Sequence, residues 1–507
     1  MAIDEAGPSA ARTGTGLAGH HSVRLSHSLS GTNSERTGDY NQRAVLQAIR
    51  RAGETTRARV SAQTGLSTPA VVGIVMRLIE LGLVVPLDLV RGRRGQPAKR
   101  MGIAADGAFG VGLNIDRDHL TLVIVDLAGD VRWRRTVEMA FAMPADVVGF
   151  AAEAVATAMH EAAIDHARVL GLGIAMPNDL GRITLPHQPT DYRAWDGVDL
   201  PALFGSFGWP VYVDNDAAAA AIGEAQSDVA FEEASFFYLL ISAGLGGGLV
   251  IDRTYHRGAT GRSGEIGLMP DRSGAGVDAV VQDIVSISAL QDRLEAAGAT
   301  RDIERALGQQ SGVAVIDAWL DDAVRALSAP LVAVTCLLNP AAVVIGGRLP
   351  QPLIARLATG LANAIERSAL PFTPTIRPAA MADHAPALGA AIFPFLDRLL
   401  PSDSILIKPD GATQPVAFPQ AGSSAGDRSI GAPSLRATRA TSSSVGGVGS
   451  SSPGSSASSG MPGAVLPIGS SMARSFAPSV IFSRAGIDAS LSDQTGTTFD
   501  GADRRRG

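Results

Sequence analysis

The sequence predicts an α/β domain of alternating strands and helices, preceded by a small winged helix-turn-helix and flanked by disordered ends. Three observations predict this. Residues 41–104 carry eleven Arg or Lys against three acids, a net of +8, which leaves −14 for the rest of a 507-residue chain whose total is −6. Residues 110–251 read as strands that alternate with helices and end in polar loops. Residues 422–460 hold 14 Ser and 8 Gly among 39 positions, too little apolar surface to offset the entropy of ordering them. The expected organisation is a disordered leader at 1–40, a basic module at 41–104, an acidic domain at 105–400 and a disordered tail at 401–507.

Composition excludes several classes. The one cysteine, Cys336, rules out an internal disulfide framework and any multi-cysteine metal site. The start, Met1 to Glu5, is acidic and lacks the basic-then-apolar pattern of an export signal, so a cytoplasmic protein is expected. The charge-free stretch between Arg325 and Arg348 has the length of a membrane span. Asn339-Pro340 divides it into a helix at Leu331–Leu338 and a strand at Ala341–Ile345, so no membrane partner is expected.

In the basic module, Asn41 to Ala52 reads as a helix with Val45, Leu46 and Ile49 on one face, stopped by Gly53. Thr56 to Thr64 reads as a second helix, with Ala58, Val60 and Ala62 available for packing. Gly65 breaks it. Ser67 is expected to cap a third helix through its hydroxyl, with Pro69 where a missing N–H is tolerated. That helix has an apolar stripe of Val71, Val72, Val75, Leu78, Ile79 and Leu81, ending at Gly82. Helix, glycine turn and capped helix make a helix-turn-helix. Leu83 to Val85 and Leu87 to Val90 are expected to pair as a wing, followed by Arg91-Gly92-Arg93-Arg94-Gly95-Gln96-Pro97.

Glycines between arginines let a backbone lie close to DNA while guanidinium groups reach phosphates or a narrow minor groove. Three helices and a basic loop would also serve as a packing module with a solvated edge; the order, spacing and charge together favour double-stranded DNA. On that reading Ser67, Thr68, Ala70 and Gly73 face the major groove, Arg77 reaches the backbone, and Arg91, Arg93, Arg94 and Gln96 form the loop contacts.

The acidic domain reads as strands at Gly110–Ile115, Leu120–Asp126 and Val131–Val137, a helix at Ala145–Ala163, and a strand at Val169–Ala175 that ends in Met176-Pro177-Asn178-Asp179. Val211 to Val213 delivers Asp214-Asn215-Asp216 to an Ala-rich helix carrying Glu224. Phe236–Ile241 and Gly248–Ile251 form a hairpin around Ala243 to Gly247. This alternation places a ligand at the carboxyl ends of the strands.

Six features carry a family resemblance: the helix-turn-helix with Gly92 to Pro97, the run Val211 to Glu224 around Asn215-Asp216, Gly244 to Gly248, Gly264-Glu265-Ile266-Gly267, Val343 to Gly347, and Ala387-Leu388-Gly389-Ala390-Ala391. In this order, over about residues 41–395, the chain resembles the ROK family of sugar-responsive repressors and sugar kinases. The resemblance implies an actin-like, ribonuclease H-like two-lobed fold, a dimer or dimer of dimers, and a sugar site at Asn215, Asp216 and Glu265. In the kinases, the Asp of the Asn-Asp pair is the general base.

Two departures select a branch. Where the kinases have a Gly-Gly-Thr turn for ATP phosphates, this chain has Asn114-Ile115-Asp116-Arg117-Asp118-His119, whose carboxylates and bulk oppose a triphosphate. The family's zinc-binding His and Cys run is also absent: Leu268 follows Gly267, Met269 to Asp283 has no Cys or His, and the acid after the cysteines aligns with Gln282. The expectation is therefore a transcriptional repressor that binds DNA and a sugar effector, with no catalytic residue, metal or cofactor. A kinase with an appended DNA-binding module and a DNA-binding dimer with a vestigial pocket are the alternatives. Asn215-Asp216 could also be a helix cap, Glu265 a loop brace, and Asn178-Asp179 either part of the pocket or an Asx turn.

Overall fold

The computed structural model describes residues 34–89, 99–182, 188–227, 233–274, 278–381 and 384–401. The basic module comprises α1 (Ser34–Ala52), β1 (Glu54–Thr56), α2 (Arg57–Thr64), α3 (Thr68–Glu80), β2 (Val84–Leu89) and β3 (Lys99–Ile103). Helix α1 begins before position 41, inside the expected leader. Its first turns are polar and largely exposed, so they carry no apolar period to betray them. Val45, Leu46 and Ile49 are buried as expected.

Thr56 caps α2 with its hydroxyl, and Gly65 closes the helix in the left-handed region at φ 70°. Of the three residues expected to pack from α2, Val60 is buried, whereas Ala58 and Ala62 face outward. Helix α3 departs from α2 at 115°, within the range for a helix-turn-helix. Ser67 sits at the cap position but its hydroxyl makes no capping bond; Pro69 in the first turn removes one of the free donors instead.

The expected wing differs in its pairing. Leu83 to Val85 and Leu87 onward do not pair with each other; Val84–Leu89 is one strand, and it pairs antiparallel with β3, which lies between β1 and β2. Pro86 lacks an N–H and is tolerated because β2 is at the sheet edge. The arginine loop is the connection between β2 and β3, and Arg91, Arg93, Arg94 and Gln96 lie outside the described residues.

The larger part is a duplicated pattern. One sheet has the order β6-β5-β4-β7-β8, from β4 (Phe109–Ile115), β5 (His119–Asp126), β6 (Val131–Glu138), β7 (Val169–Met176) and β8 (Val211–Asn215). The other has the order β11-β10-β9-β12-β13, from β9 (Phe236–Ile241), β10 (Leu245–Ile251), β11 (Thr254–Tyr255), β12 (Ala342–Gly347) and β13 (Thr375–Pro378). In each, an antiparallel meander is extended by two parallel strands. Helices α4 (Pro144–Glu161), α5 (Leu200–Leu203) and α6 (Asp216–Glu224) belong to the first lobe's sequence. Helices α7 (Gln282–Val285), α8 (Ile287–Ala296), α9 (Ile303–Ala306), α10 (Gln310–Leu338) and α11 (Gln351–Arg367) belong to the second, and α12 (Ala385–Arg398) closes the domain.

Strands β4, β5, β9 and β12 are buried along their whole lengths, which explains their continuous apolar runs. The helix expected at Leu331–Leu338 is the end of the longer α10, which continues through Pro330 and stops at Asn339 in the left-handed region. Strand β10 begins at Leu245, not Gly248, so Gly246 and Gly247 pair with Leu240 and Leu239 rather than forming a loop. Glycine is required at 247 because the Gly264 carbonyl occupies the space of a Cβ. Among the described residues no single helix is long and apolar enough to cross a membrane.

Helix α12 ties the parts together. It lies on β4 and β7 and packs against α6. At Gly112 and Gly173 a side chain would collide with the carbonyls of Ala387 and Ala390, so the helix rests directly on the strand backbones. Its outer end enters one continuous core with the basic module: Ala391, Ile392, Phe395, Leu399 and Leu400 pack with Val45, Leu46, Ile49 and Met101. Arg43 of α1 donates to the Asp397 and Leu400 carbonyls at 2.6 and 3.4 Å, satisfying acceptors that a helix end leaves free. Arg50 donates to the Leu127 carbonyl at 2.9 Å, and Arg168 to the Leu81 carbonyl at 3.0 Å.

Candidate functional site

The carboxyl ends of β4 in one lobe and of β9 and β12 in the other meet around one small cavity. On the first lobe, β4 and β5 are joined by Asp116-Arg117-Asp118. The Asp116 amide donates to the His119 carbonyl at 3.0 Å and the Arg117 amide to Asp116 Oδ1 at 2.7 Å, so the turn is tight. His119 Nδ1 is 2.6 Å from Asp118 Oδ1, and Nε2 is 3.1 Å from Asn114 Nδ2. Nδ1, facing the carboxylate, donates to it.

The second lobe meets this hairpin through Arg348, just after β12. Its Nη1 donates to Asp118 Oδ2 at 2.8 Å and its Nη2 to Glu138 Oε1 at 2.5 Å. Burial pushes the Asp118 carboxyl up, but the His119 hydrogen bond and the charges of His119 and Arg348 outweigh it and hold Asp118 below the ordinary carboxylate range. Asp116 goes the other way, raised by burial and by the charge of Asp118. A small cavity is lined here by Asn114, Asp116 and His119 of one lobe, Ser242 and Arg348 of the other, and His384 and Pro386 at the start of α12.

Asp116, Asp118 and His119 bring ligand-type atoms within 4.8 Å of one another. Arg348 already supplies a cation at that edge. For structural zinc the donor set does not fit: Met269 to Asp283 contains no Cys or His, and the segment is closed instead by a bridge between Pro270 and Val280.

The expected sugar-binding residues gather on the neighbouring wall. Asp216 begins α6, is 8% exposed, and its carboxyl is pushed up to about 7, first by burial, then by the charges of Asp116 and, less, Glu265. Asn215 caps α6: its Oδ1 accepts from the Ala217 and Ala218 amides at 2.9 and 3.1 Å. Glu265 Oε1 accepts from Asn178 Nδ2 at 3.1 Å, with Arg262 Nη1 at 3.7 Å. Asp179, in the left-handed region at φ 56°, pairs with Arg262. Asn178 and Asp179 therefore join the Glu265 wall rather than only shaping a turn, while Leu268 is largely exposed.

Three residues of the cleft escaped the sequence reading as site residues: Arg348, Tyr192 and Arg117. Tyr192 and Arg117 face the same region, since both the charge of Arg117 and that of Asp116 act on the Tyr192 hydroxyl. Arg117 had appeared only as bulk opposing a nucleotide. Arg117 and Arg348 lie within or beside stretches already noted, the Asp116 to Asp118 turn and the Gly346-Gly347 pair, but nothing in those stretches marks an arginine as a site residue; Tyr192 lies in no motif at all.

On the basic module, Ser67 at the cap and Thr68, Ala70, Gly73 and Arg77 on α3 are all exposed, opposite the buried Val71, Val75 and Leu78. Met76 shares that outer surface, 53% exposed, and the sequence reading had not singled it out.

A duplicated strand pattern with a polar cleft between its halves defines an actin-like two-lobed α/β domain. The chain belongs to the ROK family, which matches residues 110–394. It is 30% identical over 370 residues to an uncharacterized protein of Sinorhizobium fredii, covering 70% of this chain and 90% of that one. It is 25% identical over 235 residues to the xylose repressor of Bacillus subtilis, covering 45% of this chain and 60% of the repressor. Among solved structures it is similar to a ROK family transcriptional regulator that is a homolog of the E. coli MLC protein, with a TM-score of 0.53 and 20% identity over 73% of this chain and 99% of the other.

Proposed function

We propose that this protein is a DNA-binding transcriptional repressor whose ROK domain senses a sugar or sugar derivative and transfers no phosphate. The observation that carries the proposal is the path of α12. Its start, at His384 and Pro386, lines the cleft between Asn114 and Arg348, and its end shares a core with α1. At about 1.5 Å per residue a helix of this length transmits a tilt over about 20 Å. A ligand that prefers one lobe arrangement shifts the orientation of α3 only through its unequal affinity for the two states.

DNA recognition rests on the exposed α3 face, the 115° turn and the excess of basic residues in the module. The arginine loop between β2 and β3 is suited to the minor groove or phosphates. Half-sites one helical turn apart require two modules, so the active form is a homodimer or a dimer of dimers. Sugar recognition rests on Asp216 and Glu265, whose carboxyl groups suit vicinal hydroxyls; Asn215 contributes by fixing the start of α6, and its amide nitrogen remains available.

The absence of phosphoryl transfer is supported by the hairpin tip, where Asp116, Arg117 and Asp118 occupy the place of a glycine-rich turn. The test is a gel shift or footprint on the DNA flanking the gene at several salt concentrations, with and without a sugar panel, beside an ATP-dependent phosphorylation assay. Sequence-selective, salt-sensitive binding that a sugar alters is the expected result. Phosphorylation lost in Asp216→Asn would replace this reading with that of a sugar kinase.

A further inference from the structure

Two enclosed donors near the β4–β5 turn, Arg117 Nε and the Tyr192 hydroxyl, have no hydrogen-bond partner among the described residues. Arg117 stands at the tip between β4 and β5, its main chain fixed by the Asp116 carboxylate and by the Phe141 amide, which donates to its carbonyl at 2.7 Å. Its side chain is half-buried, and Nε is enclosed without a hydrogen-bond partner. The guanidinium points across the cleft: Nη1 is 3.2 Å from where a Cβ would stand at Gly244, and Gln282 Oε1 is 3.9 Å from that point. Among the described residues no carboxylate forms an ion pair with it within 4.0 Å.

Tyr192 is the second donor. It is 1% exposed, and its hydroxyl also lacks a partner. Burial raises its pKa, with Arg117 opposing, so the hydroxyl keeps its proton throughout the physiological range. The two donors share a wall: the Tyr192 ring meets Phe141 edge-on at 5.1 Å, and Phe141 is the residue whose amide holds Arg117. A buried donor left without an acceptor is destabilising, so two of them on one wall mark the place of acceptor oxygens.

We infer that the cleft takes an anionic polyol, a sugar bearing a carboxylate or phosphate, whose charged group is held by Arg117 and Tyr192 while its hydroxyls face Asp216 and Glu265. This rests on the sugar-sensing reading above and names the ligand class of the same site. A guanidinium is the side chain whose planar fork matches carboxylate and phosphate oxygens. Arg117 does lower the carboxyls of Asp116 and Asp216 through space, but without contact, which leaves its N–H groups for a ligand. Burial and the charge of Asp116 raise the Asp216 carboxyl well above the ordinary carboxylate range, which favours its protonated form and reduces its repulsion of an anion.

The test is calorimetric titration of the full chain with D-glucose and D-galactose, with D-glucuronate, D-galacturonate and D-gluconate, and with glucose 6-phosphate. Wild type is compared with Arg117→Gln, Arg117→Lys and Tyr192→Phe, each first checked for an unchanged melting curve. The expected result is an acid or phosphate bound at least tenfold more tightly than its neutral counterpart. That preference is abolished by Arg117→Gln, partly retained by Arg117→Lys, and weakened by Tyr192→Phe. The carboxylate and phosphate arms identify which anion is recognised. Neutral sugars bound as tightly as acids, with Arg117→Gln leaving both unchanged, would overturn the anionic assignment and leave the sugar-sensing reading standing. No binding by any probe, in a protein that still binds DNA, would overturn the sugar-sensing reading and this assignment with it.

Discussion

Asp216 offers a quantitative test of the cleft's electrostatics. Its carboxyl is 8% exposed and pushed up from 3.8 to about 7 by burial, Asp116 and Glu265. The folded-state value lies above the unfolded one, so its penalty on folding is absent at low pH, where both states are protonated. The penalty develops as pH rises above about 4, reaching its full value once pH has passed about 7. A shift of about three units corresponds to about 4 kcal/mol at high pH. Between pH 5 and pH 8 the linkage relation gives a loss of about 2.5 kcal/mol from this group alone. Asp216→Asn removes the titration and keeps an Oδ1 to accept from the Ala217 amide. Urea unfolding of both proteins at pH 5 and pH 8 is the assay. The variant is expected to gain on wild type by about 2.5 kcal/mol between the two values, less whatever Asp116 takes over. An identical pH dependence in the two proteins would refute the burial and charge assignment.

Three further substitutions probe the rest of the structure. Gly173→Ala drives a methyl group into the Ala390 carbonyl beneath α12 and is expected to cost about 1–3 kcal/mol, read as a fall in melting temperature; an unchanged melt would show that α12 can lift from β7 freely. Phe395→Ala empties a buried site in the core shared by α12 and α1 and is expected to cost about 3–5 kcal/mol and to weaken DNA binding, whereas retained binding affinity and response to ligand would separate the two parts. Arg77→Ala on the exposed end of α3 is expected to weaken binding similarly on all DNA sequences and to reduce the slope of log affinity against log salt by about 1; a change confined to one base position would make Arg77 a base-reading residue instead.

The parts of this fold that were legible in the sequence are those specified locally. Gly65 between α2 and α3 announced the turn, and the unbroken apolar runs of β4, β5 and β9 announced strands covered on both faces. Strand β3 was not legible, because Lys99-Arg100-Met101-Gly102-Ile103 has neither alternation nor an apolar run; it is extended because β1 and β2 pair with it on both sides. The polar start of α1 escaped for a similar reason, since its helicity continues from packed turns downstream. Asn215, Asp216 and Glu265 were singled out through motif, but the contacts that decide their behaviour were not legible. Asp118 and Arg348 are 230 positions apart, and neither flanking sequence refers to the other.

That long-range pair gives the departures at the hairpin a common physical sense. Replacing a glycine-rich turn with Asp116-Arg117-Asp118 removes a cradle of backbone amides and adds three charged side chains at the mouth of the cleft. Asp118 takes Arg348 from the opposite lobe, Glu138 takes its other nitrogen, and His119 holds Asp118 from behind. Among the described residues Arg117 has no carboxylate partner within ion-pair distance. The lobes are thus joined at this hairpin through fixed charges. With α12 starting beside this junction and ending in the core of the basic module, any ligand that competes for these charges acts directly on the element connecting cleft and α3.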